Sequence, residues 1–373
     1  MSKQEGEIWR ALGLMSGTSM DGIDVAVIET DGTYALKRWF TATYPFSEAF
    51  RGQLKAGLAD AAGLRNRDER PGRLKLLEQY LTELHAEAVA HFLTDHSIEP
   101  DSIDVIGFHG QTVLHRPDDR LTVQLGDGPL LANLTGRDVV YDIRAADVAA
   151  GGHGAPLVPA YHRAALSRIE ARPLAVLNLG GVGNVTWIGR DGHLIAFDTG
   201  PASAMIDDWM AAKAGKAQDE NGEAAARGRV NQDLVTEYLL HPHFGQCPPK
   251  SLDRNAFPVS LMNGLSVEDG AATLTAFSAA AVGKAREHFP EAPEMWIVAG
   301  GGRRNSTLMS MIAEHVEAAV VPAEAVELDG DGLEAEAWAY LAVRSRLGMP
   351  ITFPGTTGVA QPLTGGLLAT PSG

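Results

Sequence analysis

Three short glycine-containing loops are the first features of this sequence that could support chemistry. Each follows a predicted strand, and the loops occupy residues 13–22 (GLMSGTSMDG), 198–201 (DTGP) and 300–302 (GGG). A triphosphate is commonly held by converging backbone N–H groups, and glycine allows close approach because it has no Cβ. One such loop alone would be better explained as a simple turn. Three together favour a phosphate-binding site.

Asp198 is the candidate catalytic side chain. It follows the apolar residues Ile195, Ala196 and Phe197 and precedes a Gly-Pro turn that opens a predicted helix. A carboxylate at the C-terminal edge of a strand faces a cleft, where it can act as a general base toward a hydroxyl or a water. The alternative is structural, with Asp198 capping the next helix or forming an Asx turn. The residue alone does not separate the two.

Spacing argues against the usual nucleotide-binding and hydrolytic motifs. Lys216 and Lys284 each follow a glycine, but neither is followed by the Ser or Thr that a P-loop requires. The chain has no G-x-G-x-x-G, so the dinucleotide-binding fingerprint is missing. Ser16 and Ser19 do not lie in G-x-S-x-G, which weakens a serine hydrolase interpretation.

A repeated strand pattern explains where the first two loops lie. Apolar alternation predicts, twice in the chain, a strand, a glycine turn, a second strand, an Asp-Gly hairpin and a third strand. The predicted strands are residues 9–15, 23–29, 34–44, 174–179, 184–188 and 193–197. The matched order indicates a duplicated β-meander at the start of two similar lobes.

Helical periodicity and a few apolar runs describe much of the remaining chain. Between the meanders, Leu74, Leu77, Leu81, Leu84 and Ala88 recur with the spacing of one helix face, which needs a core to pack against. Further helices are predicted at residues 202–214, 232–240, 271–288 and 333–347, and further strands at 105–108 and 295–298.

Composition narrows the class of protein. A chain of 373 residues exceeds the usual size of one hydrophobic core, so two domains are expected. Its 47 acidic and 31 basic side chains give a net charge of -16, which argues against a nucleic-acid partner. The polar N-terminal stretch has no export signal, no membrane span is predicted, and the single cysteine, Cys247, cannot form an internal disulfide. We therefore expect a cytoplasmic protein that binds neither nucleic acid nor membranes.

Seven segments give the sequence a specific resemblance to a known family. They are GLMSGTSMDGID (residues 13–24), GFHGQTVLHRP (107–117), TVQLGDGPLLA (122–132), RAADVAAGGHGAPLVP (144–159), NLGGVGNVT (178–186), FDTGPAS (197–203) and VAGGGRRNSTLM (298–309). Over essentially the whole chain they resemble the anhydro-N-acetylmuramic acid kinases, a branch of the sugar kinase, Hsp70 and actin superfamily.

The resemblance implies an α/β fold of two actin-like (ribonuclease H-like) lobes with a nucleotide cleft between them. We place the N-terminal lobe at residues 1–136 plus about 348–373 and the C-terminal lobe at 137–347. It also implies ATP, Mg²⁺ and a small-molecule 1,6-anhydro sugar. In such kinases a base-activated water attacks C1 while the departing O6 takes the γ-phosphoryl group, and Asp198 matches the family's base. The substrate would be 1,6-anhydro-N-acetylmuramic acid and the product N-acetylmuramic acid 6-phosphate, formed in cell-wall sugar recycling.

The same resemblance assigns further site residues. The nucleotide and, for Asp21, the metal are expected at Gly13, Ser16, Gly17, Thr18, Ser19, Asp21, Gly180, Gly200, Gly300, Gly301 and Asn305. The sugar is expected at His109, Gln111, Arg144, Asp147 and Glu334. A lactyl carboxylate would suit Arg144, because a guanidinium binds it through two parallel N–H groups. A purely structural role for His109 stays open.

Three alternative functions stay open at this point. A kinase for another anhydro sugar, such as levoglucosan, would share the opening motif and the mechanism. A nucleotide-gated binding protein on the actin and Hsp70 scaffold would turn over ATP regardless of sugar. A hydrolase using Ser16 or Ser19 would need a partner histidine that the sequence does not locate.

Two departures from the usual family pattern concern substrate preference more than reaction type. They are Ser203, where many relatives have Asn, and the segment at residues 249–255. The sequence leaves the oligomeric state open, with a homodimer as one option.

Overall fold

A computed structural model describes residues 6–17 and 19–372. Contacts divide the chain into two units: the first runs up to Arg168 and resumes at Gly332, and the second is Ile169–Asp331. This division differs from the one expected from the sequence, which separated the lobes at residues 136/137 and 347/348. The difference arises because a strand at Val139–Tyr141 and a helix at Leu333–Arg346 both pack on the first unit's sheet.

Strands and helices follow one another along both units. The strands are β1 (Trp9–Met15), β2 (Gly22–Thr30), β3 (Leu36–Pro45), β4 (Val105–Phe108), β5 (Gln111–Arg116), β6 (Leu121–Leu125), β7 (Val139–Tyr141), β8 (Leu174–Leu179), β9 (Val182–Ile188), β10 (Leu194–Pro201), β11 (Met295–Ala299), β12 (Ala319–Pro322) and β13 (Leu367–Ala369). The α-helices are α1 (Glu48–Ala61), α2 (Leu74–Asp95), α3 (Gly128–Thr135), α4 (Ala145–Ala149), α5 (Pro159–Ala165), α6 (Ser203–Ala214), α7 (Glu223–Arg227), α8 (Gln232–Tyr238), α9 (Val267–Ala285), α10 (Ser306–Val316), α11 (Leu333–Arg346) and α12 (Pro354–Thr357).

Each unit is built on the same sheet plan. The first sheet has the order β13-β7-β4-β1-β2-β3 and the second the order β10-β9-β8-β11-β12. In both, an antiparallel meander of three strands is followed by two parallel strands. Parallel neighbours require crossover connections, and helices supply them. The predicted α/β fold with two ribonuclease H-like lobes and a duplicated meander is confirmed.

Helix α11 lies directly against the first sheet, and two glycines permit this. Gly13 on β1 and Gly107 on β4 are neighbours across the parallel pair. A Cβ at Gly13 would lie 2.6 Å from the Ala339 nitrogen and closer still to the Ala335 carbonyl oxygen. A Cβ at Gly107 would likewise press on the backbone of Trp338. The missing side chains therefore make room for the helix backbone.

The second unit has its own core around helix α9, which packs against α6, α7, α8, α10 and β10. Phe277 on this helix contacts an aromatic group whose ring centroids lie 4.8 Å away for Tyr238, 5.1 Å for Phe257 and 6.0 Å for Phe244. Large aromatic side chains dominate the burial energy where they cluster. This cluster therefore holds the segment between α8 and α9 against the body of the unit. Among the residues described, no helix is both long and apolar enough to cross a membrane.

Candidate active site

Asp198 lies on β10, the edge strand of the second sheet, where the pairing with β9 shifts register. Its backbone N–H donates to the Lys250 carbonyl oxygen at 3.0 Å. Its own carbonyl oxygen accepts a hydrogen bond from His243 Nε2 at 2.8 Å. A sheet edge leaves such groups unpaired unless something covers them. Here the segment after α8 covers the edge and fixes the backbone of Asp198.

The carboxylate of Asp198 has one occupied and one open oxygen. Oδ2 accepts a hydrogen bond from the Leu252 N–H at 2.8 Å, and Oδ1 has no hydrogen bond from any described residue. Burial raises the pKa of Asp198 to about 6, although the Leu252 N–H opposes this rise. A carboxylate whose pKa lies near neutral is a stronger proton acceptor than an ordinary aspartate. Oδ1 can therefore take a proton from a bound hydroxyl or water.

The structure removes the helix-capping alternative for Asp198. Helix α6 begins at Ser203, its N-cap is Ala202, and no side chain caps it. The Asp198 side chain instead reaches toward Leu252, which is 54 residues further along the chain. A carboxylate partly desolvated without capping a helix end is typical of a functional site.

Gly180, which follows β8, and Gly200, which lies near the end of β10, have different surroundings. Nothing lies closer than 3.7 Å to the place where a Cβ at Gly180 would be, so its backbone faces open space. The Gly180 carbonyl oxygen accepts hydrogen bonds from the Ser203 N–H at 2.9 Å and from Ser203 Oγ at 3.0 Å. A Cβ at Gly200 would lie 2.7 Å from the Ala281 Cβ. Gly200 is therefore required for packing against α9, whereas Gly180 leaves room for a ligand.

The third glycine loop joins β11 to α10. Gly300 has a φ of +75°, which favours glycine, and a Cβ there would lie 2.8 Å from the Leu179 carbonyl oxygen. Gly301 is exposed, with no atom within 4 Å of the place where its Cβ would be. Asn305 caps α10 through Oδ1, which accepts from the Leu308 N–H at 2.9 Å. Only Gly301 in this loop presents open backbone.

Gly301 and Asn305 line a pocket together with residues that the sequence did not assign to the site. Its remaining lining residues include Ser203, Asp207, Gln218, Asp219 and Asn221. Both carboxylate oxygens of Asp219 already accept hydrogen bonds, from the Ala224 N–H at 2.8 Å and from the Ala225 N–H at 2.9 Å. Asp207 has a pKa raised by burial and hydrogen-bonds Ser203. The spacing of Ser203 and Asp207, one turn apart on a predicted helix, was the available signal.

In the first unit, the loop after β1 is tied to the strand β5. The Gly17 carbonyl oxygen accepts from the Met20 N–H at 3.1 Å and from Gln111 Nε2 at 3.0 Å. Gly17 itself has open space, with Ser19 Oγ 3.6 Å from where a Cβ would be. Ser16 is fully buried, and its hydroxyl donates to the Gly110 carbonyl oxygen at 2.7 Å. The predicted ligand Thr18 lies outside the described residues.

His109 is held in one tautomer by two neighbours. Its Nδ1 lies 3.0 Å from the Ser16 carbonyl oxygen, which can only accept, so Nδ1 carries the proton. Its Nε2 lies 3.1 Å from an Arg144 nitrogen, which can only donate. Burial and the Arg144 charge hold the pKa of His109 well below its ordinary value. His109 is thus a neutral structural element that orients Arg144.

Arg144 has donors to spare after these contacts. It also donates to the Gly154 carbonyl oxygen at 2.7 Å, and its guanidinium lies 5.2 Å from the Trp338 ring centroid. Burial lowers its pKa to about 10, so it stays charged at neutral pH. Burial raises the pKa of Glu334, which the Arg144 charge partly offsets and the Asp24 charge reinforces. The opposite charges of Arg144 and Glu334 therefore each favour the ionised form of the other.

Asp147 is almost fully buried and both of its carboxylate oxygens are occupied. Oδ1 accepts from the Gly154 N–H at 2.6 Å, and Oδ2 accepts from the Thr357 hydroxyl at 2.6 Å. The structure thus gives Asp147 the task of bracing the loop around Gly154, whose carbonyl oxygen in turn holds Arg144.

Replacing Thr357 by Val should show how much the hydrogen bond from the Thr357 hydroxyl to Asp147 contributes to the stability of the protein. The variant leaves Asp147 Oδ2 buried without its donor, so we expect the free energy of unfolding to fall by about 1–3 kcal/mol. Urea denaturation measures the change. Thr94→Val, at an exposed helical threonine, is the matched control. Equal losses in the two variants would contradict the role given to Thr357.

A cavity beside His109 brings together residues that the motifs did not single out. Arg67, Gln124, Tyr141 and Asp142 line it together with Gly110. Arg67 pairs with Asp142 at 2.8 Å, and burial raises the pKa of Asp142 to about 6. Gln124 Oε1 is buried and has no partner among the described residues. Gln124 lies inside one of the family-like segments, so only its place in that motif could have pointed to it.

A magnesium site made wholly of protein side chains is not present in the described residues, where no three His, Cys, Asp or Glu side chains converge. Mg²⁺ bound with a nucleotide typically takes only one or two carboxylates, the remaining ligands being phosphates and waters. Asp21 fits that pattern, since it is exposed and its Oδ1 accepts only from Ser19 Oγ, at 2.8 Å.

The sequence is similar to known proteins over nearly its whole length. The family model described as anhydro-N-acetylmuramic acid kinase matches residues 9–370. A protein of that name from Methylobacterium nodulans is 51% identical, covering 97% of this chain and 100% of its own. One from Rhizobium etli is also 51% identical, covering 97% and 98%. One from Brucella canis is 48% identical, covering 98% and 100%.

Proposed function

This chain belongs to the anhydro-N-acetylmuramic acid kinase family, and on that premise we propose that it opens 1,6-anhydro-N-acetylmuramic acid hydrolytically and phosphorylates O6 with ATP. The product is N-acetylmuramic acid 6-phosphate, in the recycling of cell-wall sugars. The single observation that carries the chemistry is Asp198, whose carboxylate combines a raised pKa with one open oxygen.

Asp198 supplies what the ring opening needs. Water is a poor nucleophile unless a positioned base accepts its proton. Oδ1 of Asp198 takes that proton while the water oxygen bonds to C1 and the C1–O6 bond breaks. The electron pair of that bond stays on O6, which bonds to the γ-phosphorus of ATP as the bond from that phosphorus to the β–γ bridging oxygen breaks and ADP leaves. Bound ATP supplies the phosphoryl group and Mg²⁺ would neutralise its charge.

Backbone groups at three glycines support nucleotide binding. Gly17, Gly180 and Gly301 each leave open space where a Cβ would be, so phosphate or nucleoside groups could approach their N–H groups. Asp21 is the residue we assign to Mg²⁺, because its carboxylate is exposed and retains lone pairs. Gly13 and Gly200 pack closely against helices, and the Ser16 hydroxyl donates to the Gly110 carbonyl oxygen. We therefore assign these three residues to shaping the nucleotide site and not to direct contact with the nucleotide.

Polar groups of the first unit support the assignment of the sugar. Arg144 has N–H groups left for a carboxylate, such as that of a lactyl substituent, while His109 holds its orientation. Gln111 Oε1 is buried without a partner among the described residues, so it offers an acceptor to a hydroxyl or an acetamido N–H. Glu334 adds a second acceptor near Arg144.

A panel of bridged sugars tests the proposal. We expect ADP release that depends on 1,6-anhydro-N-acetylmuramic acid, with kcat/KM at least about 10²-fold lower for levoglucosan, because an unsubstituted sugar leaves the polar partners unpaired. The readout is coupled ADP production, with phosphorylated sugar confirmed by mass. Preference for levoglucosan would favour the other anhydro-sugar kinase. ATP turnover indifferent to every sugar would favour a nucleotide-gated binding protein.

The cytoplasm is the compartment we assign to this enzyme. ATP is its phosphoryl donor, and its one cysteine, Cys247, cannot form a disulfide within the chain, as suits a reducing compartment.

A further inference from the structure

Lys250 lies in a segment whose other residues are exposed or half-buried. Between Gly245 and Asn255, Lys250 is the only buried residue, with 7% of its surface exposed. Lysine is rarely buried unless it is paired, because removing an ammonium group from water is costly. An apolar side chain would anchor this segment at lower cost. The choice of lysine therefore points to a specific task.

The Lys250 ammonium group is satisfied by neutral acceptors. Nζ donates to the His243 carbonyl oxygen at 2.9 Å and lies 3.0 Å from His288 Nε2, which accepts. It also lies 5.4 Å from the centroid of the Phe197 ring. No carboxylate within the described residues forms an ion pair with it, and burial lowers its pKa to about 8. Two directed hydrogen bonds thus fix where this lysine sits.

The backbone around Lys250 hydrogen-bonds Asp198 at two points, once at its backbone N–H and once at its carboxylate. The Lys250 carbonyl oxygen accepts from the Asp198 N–H at 3.0 Å, and two residues later the Leu252 N–H donates to Asp198 Oδ2 at 2.8 Å. His243, whose carbonyl oxygen holds the ammonium group, donates from Nε2 to the Asp198 carbonyl oxygen at 2.8 Å. Asp198 is therefore hydrogen-bonded by His243 and Leu252, which belong to the same segment that the Lys250 ammonium group ties to His243.

We propose that Lys250 is a positioning residue for Asp198: its buried ammonium ties the segment after α8 to His243 and His288, so that the Leu252 N–H occupies Oδ2 and leaves Oδ1 for the proton of the attacking water. The inference rests on the proposed role of Asp198 as the base. Lys250 touches no reacting atom, and it acts through the hydrogen bonds that aim the carboxylate.

The action of Lys250 is geometric rather than electrostatic. Burial raises the pKa of Asp198, and the Leu252 N–H lowers it. Ionisable groups around the lysine are His243, His288, Cys247 and Glu287, and His241 adjoins His243. Burial holds the pKa of His243 at about 4, so that side chain stays neutral at working pH. The direct influence on Asp198 thus comes through Leu252.

Lys250→Met tests this inference, because methionine keeps the length and apolar stem but loses the donor. We expect kcat to fall on the order of 10–100-fold while the affinity for ATP stays unchanged, since a small misplacement of a catalytic group has effects of this size. Lys250→Gln, which keeps an N–H donor, should lose less. Lys284→Met is the matched control, because Lys284 is a half-exposed lysine whose ammonium group is paired with Glu287 at 2.9 Å.

A titration separates positioning from mere stability. Loss of the Leu252 hydrogen bond removes the influence that lowers the pKa of Asp198, so that pKa should rise in Lys250→Met. Carboxyl-carbon NMR of the labelled full-length protein measures it, with the Asp198 signal identified by its loss in Asp198→Asn. The acidic limb of the kcat profile should move to higher pH by the same amount. A variant that merely unfolds more easily would keep the wild-type limb.

The outcomes distinguish this inference from the proposed function. Full turnover together with an unmoved Asp198 titration in Lys250→Met would overturn the positioning role and leave the base assignment intact. Equal losses in the Met and Gln variants with an unmoved titration would overturn it as well. Near-normal turnover in Asp198→Asn would instead overturn the base assignment. The NMR titration needs no sugar, so it tests whether Lys250 maintains the Leu252 hydrogen bond to Asp198 whichever sugar is the substrate.

Discussion

Asp198→Asn is expected to lower sugar-dependent ADP formation by about 10²–10⁴-fold, which is the range that a positioned general base contributes. The amide keeps the size of the side chain and can still accept the Leu252 hydrogen bond through its oxygen. It cannot accept a proton from water at neutral pH. Steady-state ADP release at saturating ATP and sugar measures the loss, and nucleotide binding measured by calorimetry should be unchanged.

The pH dependence of the wild-type enzyme follows from the same carboxylate. Asp198 works as a base only when it is deprotonated, and its pKa is about 6. Activity should therefore fall as pH drops through about 6, with roughly one tenth remaining one unit lower. An acidic limb near the ordinary aspartate pKa would show that burial does not tune this group.

Stability provides the control for folding in the same variant. Since the folded-state pKa of Asp198 is raised, its ionisation costs stability above that pKa, and the cost disappears as pH falls below the ordinary aspartate value. The asparagine variant avoids this cost and should be no less stable than wild type at pH 7.5. Loss of activity accompanied by a large loss of stability would contradict the interpretation as a chemical defect.

Gly13→Ala should destabilise the first unit severely. The new Cβ would lie 2.6 Å from the Ala339 nitrogen and closer to the Ala335 oxygen, both in the backbone of α11. A helix backbone cannot yield as a flexible side chain can, so the helix must move off the sheet. We expect a loss of about 3 kcal/mol or more in the free energy of unfolding, at the upper end of overpacking effects. Urea denaturation measures it.

Gly17→Ala is the matched control in the same loop. Only Ser19 Oγ, at 3.6 Å, lies near the new methyl group, so stability should change little. The methyl group would however intrude where we place the nucleotide phosphates, and ATP affinity should weaken. If Gly13→Ala folded normally and lost only ATP affinity, Gly13 would be a phosphate ligand rather than a packing residue.

Local patterns were sufficient for the β-meanders. The predicted strand at residues 9–15 coincides with β1 and that at 174–179 with β8, because apolar alternation and Asp-Gly turns are encoded within a few residues. Short strands escaped prediction: β7 has three residues and β12 has four, too few for a period to emerge. Helix α11 was predicted at nearly its observed bounds but assigned to the other lobe. Its partner sheet is decided by packing across more than two hundred residues.

The candidate site, like the fold, could be predicted from the sequence only in part. The motif around Asp198 and the three glycine loops could be identified in the chain, since each is a short contiguous segment. Which glycines leave backbone open and which accommodate a neighbouring helix could not be identified, as Gly180 and Gly200 illustrate. The hydrogen-bond partners of Asp198 could not be identified from the sequence either, because Leu252 lies 54 residues and His243 lies 45 residues further along the chain.

The amino-acid sequence by itself determined the family and the duplicated α/β plan, and it supplied Asp198 as the candidate base, since these depend on short-range patterns. Only the tertiary structure decided that one oxygen of the Asp198 carboxylate has no hydrogen bond from the described residues, that Arg144 contacts a neutral His109, and that the Lys250 ammonium group donates to the His243 carbonyl oxygen. The physical reason is that hydrogen bonding and desolvation depend on atoms brought within about 3 Å by folding, whatever their separation along the chain.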